Sequence, residues 1–120
     1  MLGIDIAPSA IEAARARGVE RPGVRVAASD VMAFDFRSGS WDLITMSETI
    51  YCVGAVYTFF ELGWMLREMA ECQPSGGRLL MANTYGREQD YTLAPWIVNA
   101  YFDLVHRVGY EIERRETFAA

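Results

Sequence analysis

Four polar groups stand where short apolar runs break off. "LGID" ends on Asp5, "VAASD" on Asp30, "LITMSE" on Ser47 and Glu48, and "LLMAN" on Asn83. A carboxylate offers two acceptor oxygens, suited to paired hydroxyls or an exocyclic amine. Glu48 is also suited to take a proton from an amine or hydroxyl, or to hold an ammonium group, and Tyr51 is the next polar group along. Each acid has a plainer reading. Asp5 and Asp30 suit turns or caps, and Glu48 suits a helix start, where the dipole favours negative charge.

The elements that position these groups follow from pattern. Leu2 to Ile6 reads as a short strand. After Pro8, "SAIE" sets Ser9 and Glu12 at capping-box spacing, predicting a helix through Ala13, Ala14 and Ala16 that Gly18 closes. Val24 to Ala27 is a second strand. "SGS" is a turn, and Trp41 to Met46 alternates as poorly as a strand covered on both faces. From Val56 to Cys72 the apolar residues Phe59, Leu62, Leu66 and Met69 recur at helical spacing. "PSGG" stops that helix before the strand "RLLMAN". Thr84 to Ala94 reads as a loop, and Pro95 opens a helix that Gly109 closes. Tyr110 to Phe118 is predicted as a final, exposed strand. Strands alternating with helices imply an α/β domain, a mainly parallel sheet with helices on both faces. In such sheets ligands gather at the carboxyl ends of the strands, where the four polar groups stand.

Composition narrows the function. The 120 residues are 52% apolar and 22% charged, as expected of one globular domain. A net charge of -5 and a pI near 4.8 argue against nucleic acid, which is bound through lysine and arginine. No apolar run approaches the roughly 18 residues of a membrane span, and the start lacks the pattern of a signal peptide. A cytoplasmic protein without a membrane partner is the expectation. Cys52 and Cys72 are too few and too far apart for a zinc site. His106 falls inside a predicted helix, so a metal enzyme or a histidine-based hydrolase is not expected.

With the segments laid out, the chain resembles a class I S-adenosylmethionine-dependent methyltransferase. "LGIDIAPSAIEAARARG", "ASDVMAFDF", "SWDLITMSETIYCV" and "QPSGGRLLMANT" carry the resemblance in that family's order, over Leu2 to Thr84. Within the family, the "SE" followed by a tyrosine is similar to the nodulation-type N-methyltransferases. The resemblance implies a Rossmann-like sheet, S-adenosylmethionine as cofactor and a small-molecule nitrogen or oxygen nucleophile as methyl acceptor. It implies that Asp5 accepts from the ribose hydroxyls and that Ile6 lies against adenine. Asp30 would accept from the adenine amine, with Val31 or Met32 on the ring face. Ser47 would sit at the methionine end, with Glu48 and Tyr51 at the reacting nucleophile. Tyr85, Arg87, Glu88, Tyr91 and Trp96 lie where the family builds a variable substrate lid.

Residues 1–120 then form a single, partial domain, because the family's first strand with its glycine-rich loop and its last strand do not appear in the sequence. The implied sheet is incomplete, with unpaired edges that invite pairing between copies, so a homo-oligomer is expected. A truncated enzyme with weak cofactor binding is expected as well. Two other functions fit the same residues: a non-catalytic module retained for interaction or assembly, and a nicotinamide-dependent oxidoreductase, since an acid at the second strand's tip also suits that cofactor.

Overall fold

Each strand predicted from the apolar runs up to Asn83 finds a parallel partner. The computed structural model describes residues 1–91 and 93–118, and the chain divides into two compact units, Met1–Asp35 and Phe36–Ala120.

The first unit holds β1 (Leu2–Asp5), α1 (Pro8–Ala16) and β2 (Arg25–Ala28), followed by a 3-10 turn over Val31–Ala33. β1 and β2 run parallel, with Leu2 opposite Arg25 and Asp5 opposite Ala28. Parallel neighbours need a crossover, which α1 supplies, burying Ile11 as Val26 is buried on β2. The expected capping box does not form. Pro8, with its fixed φ suited to the first helical position, starts the helix two residues earlier and leaves Ala7 as a cap without a side-chain bond. Ser9 is therefore already inside the helix. Gly18, at φ 70°, takes the left-handed turn that ends it.

The outer edge of β2 is closed by side chains. Arg25 and Ser29 donate their amides to Met1 and Asp5 at 3.0 and 2.9 Å, so Val26 between them faces the opposite edge. There Glu20 accepts from the Val26 amide at 3.1 Å and Arg15 donates to the Val26 carbonyl at 3.0 Å. The two side chains also pair with each other at 3.0 Å. The Val26 amide, and after it Arg15, hold the Glu20 carboxyl below its ordinary value.

The second unit holds β3 (Leu43–Ser47), α2 (Ile50–Val56), α3 (Phe59–Cys72), β4 (Arg78–Ala82) and α4 (Pro95–Arg107). β3 and β4 are parallel, with Leu43 opposite Arg78 and Ser47 opposite Ala82. Leu62, Met65, Leu66 and Met69 form the buried stripe of α3, at i, i+3, i+4 and i+7. Ile50 and Val53 of α2 and Val98, Leu104 and Val105 of α4 are buried too. The capping box appears here: the Thr58 amide donates to Glu61 Oε2 at 2.8 Å, and the Glu61 amide donates to Thr58 Oγ1 at 3.2 Å. Short α2 is not expected from the sequence, because Gly54 interrupts it. A Cβ there would meet the Tyr101 hydroxyl of α4, so the tyrosine lies against Gly54 only because the side chain is absent.

Two further expectations change. Met46 is buried while Leu43 is 57% and Leu80 59% exposed, so the β3–β4 pair is covered on one face within this unit. Residues 110–118 form no strand. Glu111, Glu113, Arg114 and Arg115 leave Ile112, at 46% exposure, without apolar alternates to bury. Tyr110 fixes the start of this segment by donating to Gln73 Oε1 at 2.6 Å. Gln73 Nε2 in turn donates to the Arg78 carbonyl at 2.8 Å. Burial, with the Cys72 thiol adding, pushes the Tyr110 phenol up to about 12. Among the described residues no helix is long and apolar enough to cross a membrane.

Candidate functional site

In the first unit the site residues stand on two adjacent strand ends. Asp5 closes β1; its Oδ1 accepts from the Ala7 amide at 2.7 Å, while Oδ2 has no partner among the described residues. Ile6, directly after it, is 69% exposed. Asp30 lies two residues beyond β2 and caps the 3-10 turn, its Oδ1 accepting from the Met32 amide at 2.9 Å. Val31 and Met32 within that turn are half-buried. The parallel register brings the five residues to one end of the β1–β2 pair. Both carboxylates thus do the plainer work of a turn or cap, and Asp5 keeps an oxygen open beyond it.

In the second unit a polar cluster forms at the ends of β3 and β4. Glu48 continues the ladder, donating its amide to the Ala82 carbonyl at 2.8 Å, yet its φ is 53°. It is the one described non-glycine residue with a positive φ. L-residues with a long side chain rarely take this left-handed conformation, and such strain gathers at functional sites. Thr84 Oγ1 donates to Glu48 Oε2 at 3.0 Å. The Tyr51 phenol is raised above its ordinary value, by the neighbouring Glu48 carboxylate first and by desolvation after it. It therefore remains a donor at neutral pH.

Neighbouring groups settle their hydrogen bonds locally. The Thr49 hydroxyl donates to the Ser47 carbonyl at 2.9 Å, and the Cys52 thiol to the Glu48 carbonyl at 3.8 Å. Ser47 itself is exposed. Asn83 Oδ1 is buried without a hydrogen-bond partner. Glu48 forms none of the ion pairs found among the described residues.

Thr84 is the functional candidate that sequence reasoning missed. Its only sequence signal is its place one residue past the strand-tip Asn83. Its contact with Glu48 follows from the β3–β4 register, which the sequence does not give. The expected lid behaves differently. Tyr85, Tyr91 and Trp96 are 45%, 90% and 65% exposed, and no hydrogen bond joins them to the Glu48 cluster. The loop is nonetheless ordered around Asp90, whose Oδ2 accepts from the Arg87 amide at 2.5 Å, while the Gly86 amide donates to the Leu93 carbonyl at 2.8 Å. A cavity of about 570 Å³, lined by Leu80, Phe102, Ile112 and Arg114 among others, holds none of the strand-tip groups.

Comparison with known proteins gives this geometry a family. No curated protein matches the chain. The fold is similar to the solved structure of the sugar N-methyltransferase KedS8 from Streptoalloteichus sp ATCC 53650, at a TM-score of 0.53 and 24% identity over 73% of this chain. The matched region spans 33% of that enzyme. The methyltransferase domain family matches residues 1–81, a stretch that contains β1 through most of β4 and the strand tips that bear Asp5, Asp30 and Glu48. The chain therefore belongs to the methyltransferase domain family, with the Rossmann-like α/β fold of the class I S-adenosylmethionine-dependent methyltransferases.

Proposed function

We propose that this domain serves methyl transfer from S-adenosylmethionine to a nitrogen or oxygen nucleophile of a small molecule. The observation that carries the reading is Glu48, held in a left-handed backbone with its carboxylate bonded to Thr84 and set beside the Tyr51 phenol.

The residues of the first unit fit the cofactor's chemistry. Asp5 has an open carboxylate oxygen for ribose hydroxyls, and exposed Ile6 offers an apolar surface for adenine. Asp30 presents a carboxylate for the adenine amine, with Val31 and Met32 beside it. When bound, the cofactor supplies a methyl group on a sulfonium, whose carbon–sulfur bond breaks with the electron pair going to sulfur. The protein's part is alignment and proton removal. Glu48 takes the proton of the nucleophile, and Thr84 fixes the carboxylate's direction, with the Tyr51 phenol beside it. Ser47, exposed at the tip of β3, stands at the methionine end in this reading.

The test is an amide-resolved NMR titration of the chain with S-adenosylhomocysteine, the stable product form of the cofactor. Shifts are expected at Asp5, Ile6, Val31 and Met32, and their loss in Asp5→Ala. Shifts absent from these positions, or unchanged in Asp5→Ala, refute the assignment even if binding is weak.

A further inference from the structure

We infer that the Glu48 cluster is built to take an amine rather than a hydroxyl, and that Thr84 is the positioning residue for the carboxylate that receives it. The inference rests on the methyl-transfer reading for its chemistry, though not for its test.

A census of donors and acceptors carries it. The Thr84 hydroxyl donates to Glu48, and the Tyr51 phenol, raised by that carboxylate, stays a donor beside it. The Cys52 thiol donates to the Glu48 carbonyl. What Glu48 has left to offer is acceptors, the remaining lone pairs of its carboxylate. A hydroxyl substrate brings one O–H to such a site, whereas an ammonium brings up to three N–H groups.

Charge points the same way. Glu48 has no cationic partner among the ion pairs of the described residues. An ammonium gives a carboxylate a charge-assisted hydrogen bond, which a neutral alcohol does not. Thr84 matters because it comes from the far strand. It ties the end of β4 to the Glu48 side chain just past β3, and so fixes the direction of a carboxylate that stands in solvent.

The chemical sequence balances. An N–H proton of the bound ammonium passes to the Glu48 carboxylate, leaving a neutral amine with a lone pair. That pair forms the new bond to the methyl carbon as the carbon–sulfur bond breaks towards sulfur. The product is a methylated ammonium, and Glu48 returns its proton to solvent.

Benzylammonium chloride and benzyl alcohol make a matched pair of probes. Titrations of the full chain, read from amide shifts at Glu48, Tyr51, Asn83 and Thr84, need no cofactor. Benzylammonium is expected to saturate these shifts at concentrations at least tenfold below those at which the alcohol has any effect. Thr84→Val should weaken the ammonium by about threefold to tenfold, the loss of one hydrogen bond to a charged group. Thr84→Ser should restore it, and Thr84→Val should add nothing in a Glu48→Gln background. Equal response to alcohol and ammonium overturns the amine assignment. Full-strength ammonium binding in Thr84→Val, or an additive loss in the double variant, overturns the positioning role. Failure of the methyl-transfer reading registers separately, as the missing response to S-adenosylhomocysteine at Asp5.

Discussion

Replacing Glu48 separates its backbone strain from its chemistry. Glu48→Ala removes the carboxylate and its bond to Thr84 but keeps a Cβ at φ 53°. Glu48→Gly removes the same contacts and the Cβ as well, so the difference between the two variants isolates the backbone. A left-handed L-residue costs about 1–2 kcal/mol. The extra freedom of glycine in the unfolded chain opposes that relief by about 0.4–1 kcal/mol. The net expectation is that the glycine variant is the more stable by about 1 kcal/mol, the reverse of the usual order inside regular elements. With a urea m-value of about 1–3 kcal/mol/M, its midpoint should lie about 0.3–1 M above that of the alanine variant. Both variants should lose ammonium binding equally, since both lack the carboxylate. An alanine variant as stable as the glycine variant, or more stable, refutes a left-handed Glu48, and with it the argument that the turn is held for the site's sake.

Three further expectations concern the scaffold. Glu20 is held below its ordinary value, so the stability it contributes is complete above the unfolded glutamate range and is lost as pH falls through the lowered folded value. Glu20→Ala should flatten that acid limb and speed hydrogen exchange of the Val26 amide, and an unchanged limb counts against the edge bracket. Thr58→Ala removes the α3 cap and should lower stability by about 1 kcal/mol in urea unfolding, whereas Ser9→Ala, inside α1, should do so by far less. The outward edges of β1 and β3 favour association between copies, expected as a concentration-dependent sedimentation coefficient; a single monomeric species across the range would refute it.

The strand tips were legible in the sequence because each is an apolar run ended by a polar residue. That signal placed Asp5, Asp30, Ser47, Glu48 and Asn83 without knowledge of packing. The helices were legible where apolar spacing was long, as in α3 and α4, and obscure in α2, where Gly54 is explained only by Tyr101 pressing from another helix. Capping was misassigned for a local reason. Ser9 and Glu12 have the right spacing, but Pro8 starts the helix before them, while Thr58 and Glu61 form the box that is made. Tyr110 to Phe118 has β-branched and aromatic residues at strand frequency, yet its charges leave no apolar face to bury. The role of Thr84 was not legible at all, because it depends on which residue of β4 lies beside Glu48.

The two edges of the β1–β2 pair show how the chain treats exposed backbone. At Val26 the outward amide and carbonyl are both taken, by Glu20 and Arg15, and charged side chains on an edge block a further strand. On β1 the same alternation turns Leu2 and Ile4 outward, with apolar side chains and no such bracket. β3 repeats the open arrangement at Leu43 and Thr45, since Arg78 and Glu48 donate their amides between the paired strands, to Asp42 and Ala82. The open edges are those of the strands that lead to Asp5 and Glu48. A strand added to either edge would end beside one of these carboxylates. Perturbation of the Ile4 or Thr45 amides on association should be accompanied by perturbation at Asp5 or Glu48.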